Sequence, residues 1–267
     1  MMAVDTLGAW NRENIGSRLM ADGASAATAA TLVAPIITVI DRAVAEKVSS
    51  RSTFIGSMSS SLKRLMLRPH RFLLARPTRI MMLLYGSTYL TANLVDTMSS
   101  VARNQPASTT TSGLAKFGAV SLVNVSLALY KDSQFTQMFG TIAARPLPPA
   151  SYMLLAFRDS ITICASFNLP PKVAPMLPTS VEHHFSRLSV AQFTVPALAQ
   201  LSNSPLHLLG LDLYNRNGIT PVRDRVRKVL LDWPITSLAR MCRVIPAFGI
   251  GATVNNNLRA SMMAKLG

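Results

Sequence analysis

The chain has 267 residues, 49% of them hydrophobic and only 15% charged, with a mean hydropathy of +0.29 and a formal net charge of +15. A soluble core this apolar would normally draw on aromatics, yet Phe, Tyr and Trp supply only 6%, and the small residues that dominate instead suit close helix packing in lipid. The cationic excess calls for an anionic partner, but no aromatic-rich motif supports nucleic acid, and an RNA-binding protein would leave long apolar segments unburied.

Cys164 and Cys242 fit no CxxC spacing, and the four histidines offer only the adjacent pair His183 and His184. No metal site and no cofactor is therefore expected. No nucleophile, base and orienting group fall into a catalytic arrangement, so the chain does not read as an enzyme.

Residues 1–21 form an N-terminal segment that lacks the continuous apolar core of a secretory signal and carries Asp5 and Glu13, so any address is expected to be internal. The first apolar segment, about 23–41, contains Pro35 and ends in Asp41-Arg42. A basic run follows at 61–79, with Lys63, Arg64, Arg68, Arg71, Arg76 and Arg79 among apolar residues at helical spacing. Such a helix can lie in an interface with its cations on anionic headgroups. The second segment, about 79–96, carries Asn93, and a Thr/Ser-rich linker spans 102–113. The third, about 115–131, runs into Lys131-Asp132. The fourth, about 151–168, holds Arg158 and Asp159 at mid-segment, where ionisable groups are costly unless paired or facing a wet cavity. Adjacent residues point about 100° apart on a helix, so these two are expected to pair with other helices, either as substrate contacts or as a structural pair. A proline-rich linker spans 169–184. The fifth segment, about 189–212, contains Pro205, His207 and Asp212, with Arg216 beyond it. A second basic helix is expected at 221–233, and the sixth segment, about 244–260, contains Asn255.

Each segment is about long enough to cross a bilayer when tilted. Eighteen Lys and Arg fall in the connections after the first, third and fifth segments, against eight in the other connections and the termini. That asymmetry is what six spans with both termini on one side would show. Segments one, three and five run into Asp41, Asp132 and Asp212 in turn, so three helical hairpins are the simplest repeat. The pairs Asp41 with Arg42, Lys131 with Asp132 and Asp212 with Arg216 are expected at helix ends, either as linked ion pairs or as exposed caps.

With these features the chain resembles the mitochondrial carrier family over roughly residues 22–263. In that family odd helices carry P-x-[DE]-x-x-[KR], whose charges close a gate. Here Pro205-Leu-His207-Leu-Leu-Gly210 keeps the proline, Pro35-Ile-Ile-Thr-Val-Ile40 has lost both charges, and Ser126-Leu-Ala-Leu-Tyr-Lys131 retains only the base. The even-helix motif [FY]-[DE]-x-x-[KR] survives only as Arg259 in Asn255-Asn-Asn-Leu-Arg259. The resemblance implies an all-α membrane protein: six transmembrane helices in three pseudo-repeated hairpins (about 22–104, 113–171 and 187–263) with short amphipathic interfacial helices. It further implies a mitochondrial membrane, inner rather than outer, with cardiolipin as a lipid partner. Two functions are compatible with it. One is transport of a small anionic or zwitterionic solute, contacted by Arg158, Asp159, Asn93 and Asn255; the other is a non-transporting scaffold, fusion or insertion factor with membrane-protein partners.

Overall fold

A computed structural model describes residues 13–111, 113–141, 143, 145–179, 182, 186–216 and 220–266. Asp5, His183 and His184 lie outside the described residues. The described residues are helical, with no strand among them. In chain order the helices are α1 (Ile15–Val48), α2 (Phe54–Leu67), α3 (Pro69–Leu73), α4 (Arg76–Ala102), α5 (Leu114–Phe139), α6 (Pro149–Ile163), α7 (Pro170–Val173), α8 (Arg187–Asn215), α9 (Val222–Val244) and α10 (Ala252–Met263).

Helix α1 packs on α4, α4 on α5, α5 on α6, α6 on α8, α8 on α9, and α10 returns to α1. Helix α1 enters this arrangement through a row of small residues, Ala26, Ala29, Ala30, Val33 and Ala34, all buried in one cluster with Met81, Leu84 and Tyr85 of α4. Their i, i+3, i+4 spacing places them on one face, and their size lets two backbones approach closely.

The expected basic helix over 61–79 is broken. Helix α2 ends at Leu67 and α3 begins at Pro69, which has no N–H to continue a helix; α4 starts at Arg76-Pro77. The expected separate helix at 221–233 is also corrected. It is the first half of α9, which continues through a π-helical stretch, Ile245–Gly251, into α10. Tyr89 explains part of that stretch: its hydroxyl donates to the Ala247 carbonyl at 2.7 Å. A Cβ on Gly251 would sit 2.1 Å from the same hydroxyl, so only glycine fits there.

Among the described residues one helix, Ile15–Val48, is long and apolar enough to cross a membrane by length and composition. Hydropathy thus marks one crossing where the sequence reading expected six. The distribution of side chains is more telling. Leu32, Leu83, Leu122, Phe157, Leu198 and Leu238, one from each of α1, α4, α5, α6, α8 and α9, are 48% to 70% exposed. The interior meanwhile holds Asp22, Asp41, Lys131, Asp132, Arg158, Asp212, Arg240 and Arg259, all buried. Water would favour the opposite arrangement.

Candidate functional site

Five helices bring ionisable side chains to one buried cluster. Asp41 of α1 accepts from Lys131 of α5 (Nζ–Oδ2 2.9 Å) and from Arg243 of α9, whose Nη1 lies 3.1 and 2.9 Å from the two carboxylate oxygens. Lys131 also pairs with its neighbour Asp132. Arg158 of α6 lies 2.8 Å from Asp132 (Nη2–Oδ2) and folds back on Asp159, with Nε–Oδ1 3.0 Å and Nη2–Oδ1 2.5 Å. Its Nη1 is 2.8 Å from Nδ1 of His207 on α8. A guanidinium only donates, so Nδ1 of His207 is the acceptor.

Arg240 of α9 is the exception. It is buried, its Nε donates to Gln200 of α8 at 3.0 Å, and among the described residues it forms no ion pair. The cluster therefore holds four cations, Lys131, Arg158, Arg240 and Arg243, against three carboxylates, Asp41, Asp132 and Asp159. Asp159 has spare capacity too, because its buried Oδ2 makes no hydrogen bond. Both residues line a cavity of about 80 Å³ whose wall also includes Tyr85, Asn124, Thr162 and Gln200. That is room for a few waters.

A second buried network lies toward the termini. Asp22 of α1 accepts from Arg259 of α10 (Nε–Oδ1 2.7 Å) and from Thr97 of α4 (2.6 Å). Asn93 and Asn255 exchange amide hydrogen bonds at 2.9 Å in both directions, and Asn93 also donates to Ser25. Asp22 and Asp41 are about nineteen residues, roughly 28 Å, apart along α1.

Several expectations are corrected by this geometry. Asp41 pairs across helices rather than with Arg42, which bonds Glu46 one turn on at 2.8 Å. Arg158 and Asp159 do pair with each other, because the long arginine side chain spans the turn between them; Arg158 reaches other helices as well. Asn93 and Asn255 do not line the cavity but join α4 to α10. Asp41, Asp132 and Asp212 are buried, not exposed caps. Asp212 does bond Arg216 (2.6 Å), and Arg225 of α9 adds a second cation (2.8 Å). Pro35 and Pro205 lie inside α1 and α8. Of the six basic residues assigned to lipid, Lys63, Arg64, Arg68 and Arg71 surround one larger cavity, Arg76 donates to Gln134 of α5, and Arg79 is exposed.

Sequence reasoning missed Arg240 and Gln200. Arg240 counted only as a connection charge, although its i, i+3 spacing to Arg243 puts both on one helical face. Asp22 was missed as well, since nothing in its neighbourhood marks it as the partner of Arg259.

An apolar exterior around buried charges is the pattern of a helical membrane protein. The chain belongs to the family described as probable citrulline exporter, whose model matches residues 25–263. That membership makes it a multi-pass membrane protein of an exporter family rather than an enzyme. It also overturns the resemblance to mitochondrial carriers. The degenerate gate motifs were too short to separate one helical transporter family from another, and the arguments for a mitochondrial membrane and for cardiolipin, which rested on that resemblance, fall with it. No curated protein matches the sequence closely enough to count as a relative.

Proposed function

We propose that the protein exports citrulline or a zwitterionic amino acid of similar size, and that the solute binds in the cavity between Arg240 and Asp159. The observation that carries this reading is the pair of unspent charges: a buried arginine without a carboxylate partner and a buried carboxylate oxygen without a donor, on one cavity wall. A carboxylate on Arg240 would give it the counter-ion it lacks, and an ammonium on Asp159 Oδ2 would fill its remaining acceptor; both gains are large where water is scarce. The neutral ureido tail of citrulline matches the amide and hydroxyl groups of Asn124, Gln200 and Thr162. The family description favours the same solute. A cavity of about 80 Å³ is smaller than such a solute, so binding must widen it, as moving parts of a transporter do.

The same reading takes residues 22–263 as one membrane domain of six crossings in three hairpins: α1 with α4, α5 with α6, and α8 with α9–α10. Both termini lie on one side and the basic connections on the other. The exposed apolar side chain on each of these helices and the charge asymmetry of the connections support it.

Proteoliposomes loaded with labelled citrulline test the function. Efflux is expected from the native protein, competed by unlabelled zwitterionic amino acids, and lost in Arg240→Gln. Absence of efflux for every amino acid tried, with the protein folded in the bilayer, would sink the reading in favour of a non-transporting role.

A further inference from the structure

A cavity of about 580 Å³, separate from the solute site, opens between α1, α2, α3 and the start of α4. Lys63, Arg64, Arg68 and Arg71 surround it, with Arg42 at one side and no acidic residue in its wall. Those four cations form no ion pair among the described residues. Arg42 is already engaged, bonded to Glu46 and stacked 5.2 Å over the ring of Phe139.

The wall has two further properties. Thr78, 0% exposed, lines it with a hydroxyl that has no hydrogen-bond partner. An orphaned buried hydroxyl is costly and calls for a partner. Ala75 and Pro77 also line the cavity, so the N-terminus of α4 points there, and its N-cap residue Ala75 supplies no side-chain cap. The first N–H groups of a helix carry partial positive charge and favour an anion. Beside the polar wall stand Phe72 and the exposed Leu67, and Leu74, next to Ala75 in the chain, is exposed as well.

We infer that this cavity holds the headgroup of an anionic phospholipid, with its phosphate among Arg64, Arg68, Arg71 and Thr78 and its acyl chains running out over the exposed Leu67 and Leu74. Charge complementarity decides the sign of the headgroup, and the apolar rim decides that it belongs to a lipid. A free phosphate would meet the cations but would leave the rim uncovered. The bound lipid ties the α2–α3 connection to the base of α4, independently of any solute.

The full chain in phosphatidylcholine nanodiscs, with or without added phosphatidylglycerol, tests this through thermal unfolding and the lipid retained on repurification. Phosphatidylglycerol should raise the unfolding temperature and be retained. Arg68→Gln with Arg71→Gln should weaken retention on the order of tenfold, given the contribution of each basic residue near an anionic surface. Thr78→Val should unfold no earlier than the native protein in phosphatidylcholine, because it removes an unsatisfied hydroxyl, yet gain less from phosphatidylglycerol. Arg223→Gln with Arg227→Gln, on the exposed face of α9 beside Asp224, should keep the full gain. The inference is overturned if the Arg68/Arg71 variant gains as much as the native chain. An equal loss in the Arg223/Arg227 variant would show general surface charge instead, and an equal rise from inorganic phosphate in phosphatidylcholine nanodiscs would show a free-anion site. Each result is read without solute, so it is independent of the export assay.

Discussion

Trp233 donates its indole N–H to the carbonyl of Leu201 at 2.8 Å. Leu201 lies four residues before Pro205, so this is the acceptor that α8 itself cannot satisfy, since proline has no N–H to offer. A side chain from the next helix thus repairs the gap and fixes how α9 lies on α8.

Replacement of Trp233 by Phe keeps most of the packing and removes the donor. It should cost about 1 kcal/mol, roughly 2–4 °C in the unfolding temperature of a chain this size. In a Pro205→Ala background the helix regains its own donor, and the same replacement should cost measurably less. Equal costs in both backgrounds would mean that the indole acts by packing alone.

Arg240 and Arg243 are one turn apart on α9, yet their removal should have opposite effects. Arg243→Gln leaves Asp41 short of one of its two cations and, because Arg243 keeps 22% side-chain exposure, should destabilise by about 2 kcal/mol, below the range for a fully buried pair. Arg240→Gln removes a buried charge with no counter-ion and should leave stability unchanged or raise it, while abolishing citrulline binding. Thermal unfolding with isothermal titration calorimetry reads both. Similar destabilisation by the two variants would show that Arg240 is structural.

Asp212 holds Arg216 and Arg225, and both partners keep some solvent contact, at 31% and 13% side-chain exposure. Asp212→Ala should therefore destabilise by about 2 kcal/mol, less than the 3–5 kcal/mol of a fully buried pair. High salt should shrink the difference, because partly exposed charges are screened. Chemical denaturation at two ionic strengths would show it.

The ends of the bundle are also open to test. Lys228 of α9 reaches Ser50 in the α1–α2 connection at 2.8 Å, and Lys47 pairs with Asp232 at 2.8 Å, so two basic connections meet at one end. In a background without the exposed Cys164 and Cys242, single cysteines at Arg68 and Arg223 should label from the same side of a sealed vesicle, and one at Thr110 from the other. Labelling of all three from one side would defeat the six-crossing arrangement.

The helices were legible in the sequence because apolar runs interrupted by proline and polar linkers have few other ways to fold. The aspartates ending the odd segments were legible as well. Their partners were not. Which cation Asp41 meets depends on how α5 and α9 are rotated against α1, and no local spacing encodes that rotation, so the neighbouring Arg42 was the natural but mistaken choice. Asn93 and Asn255 were recognised as interior amides, but the bond between them joins residues far apart in sequence and separates them from the cavity. Arg240 escaped because the boundary of the last apolar segment was drawn after it, whereas α9 carries the helix well beyond the apolar residues.

Helix α1 belongs to both buried networks, through Asp22 at one end and Asp41 at the other. It therefore behaves as a lever. A rod pinned near its middle by the packing of Ala29, Ala30 and Val33 cannot swing its Asp41 end away from Lys131 and Arg243 without driving its Asp22 end the opposite way. On the export reading proposed above, a motion that loosened one network would then strain the other. Pro35, between the pivot and Asp41, is the place where that rod can flex, and it sets how stiffly the two ends answer each other.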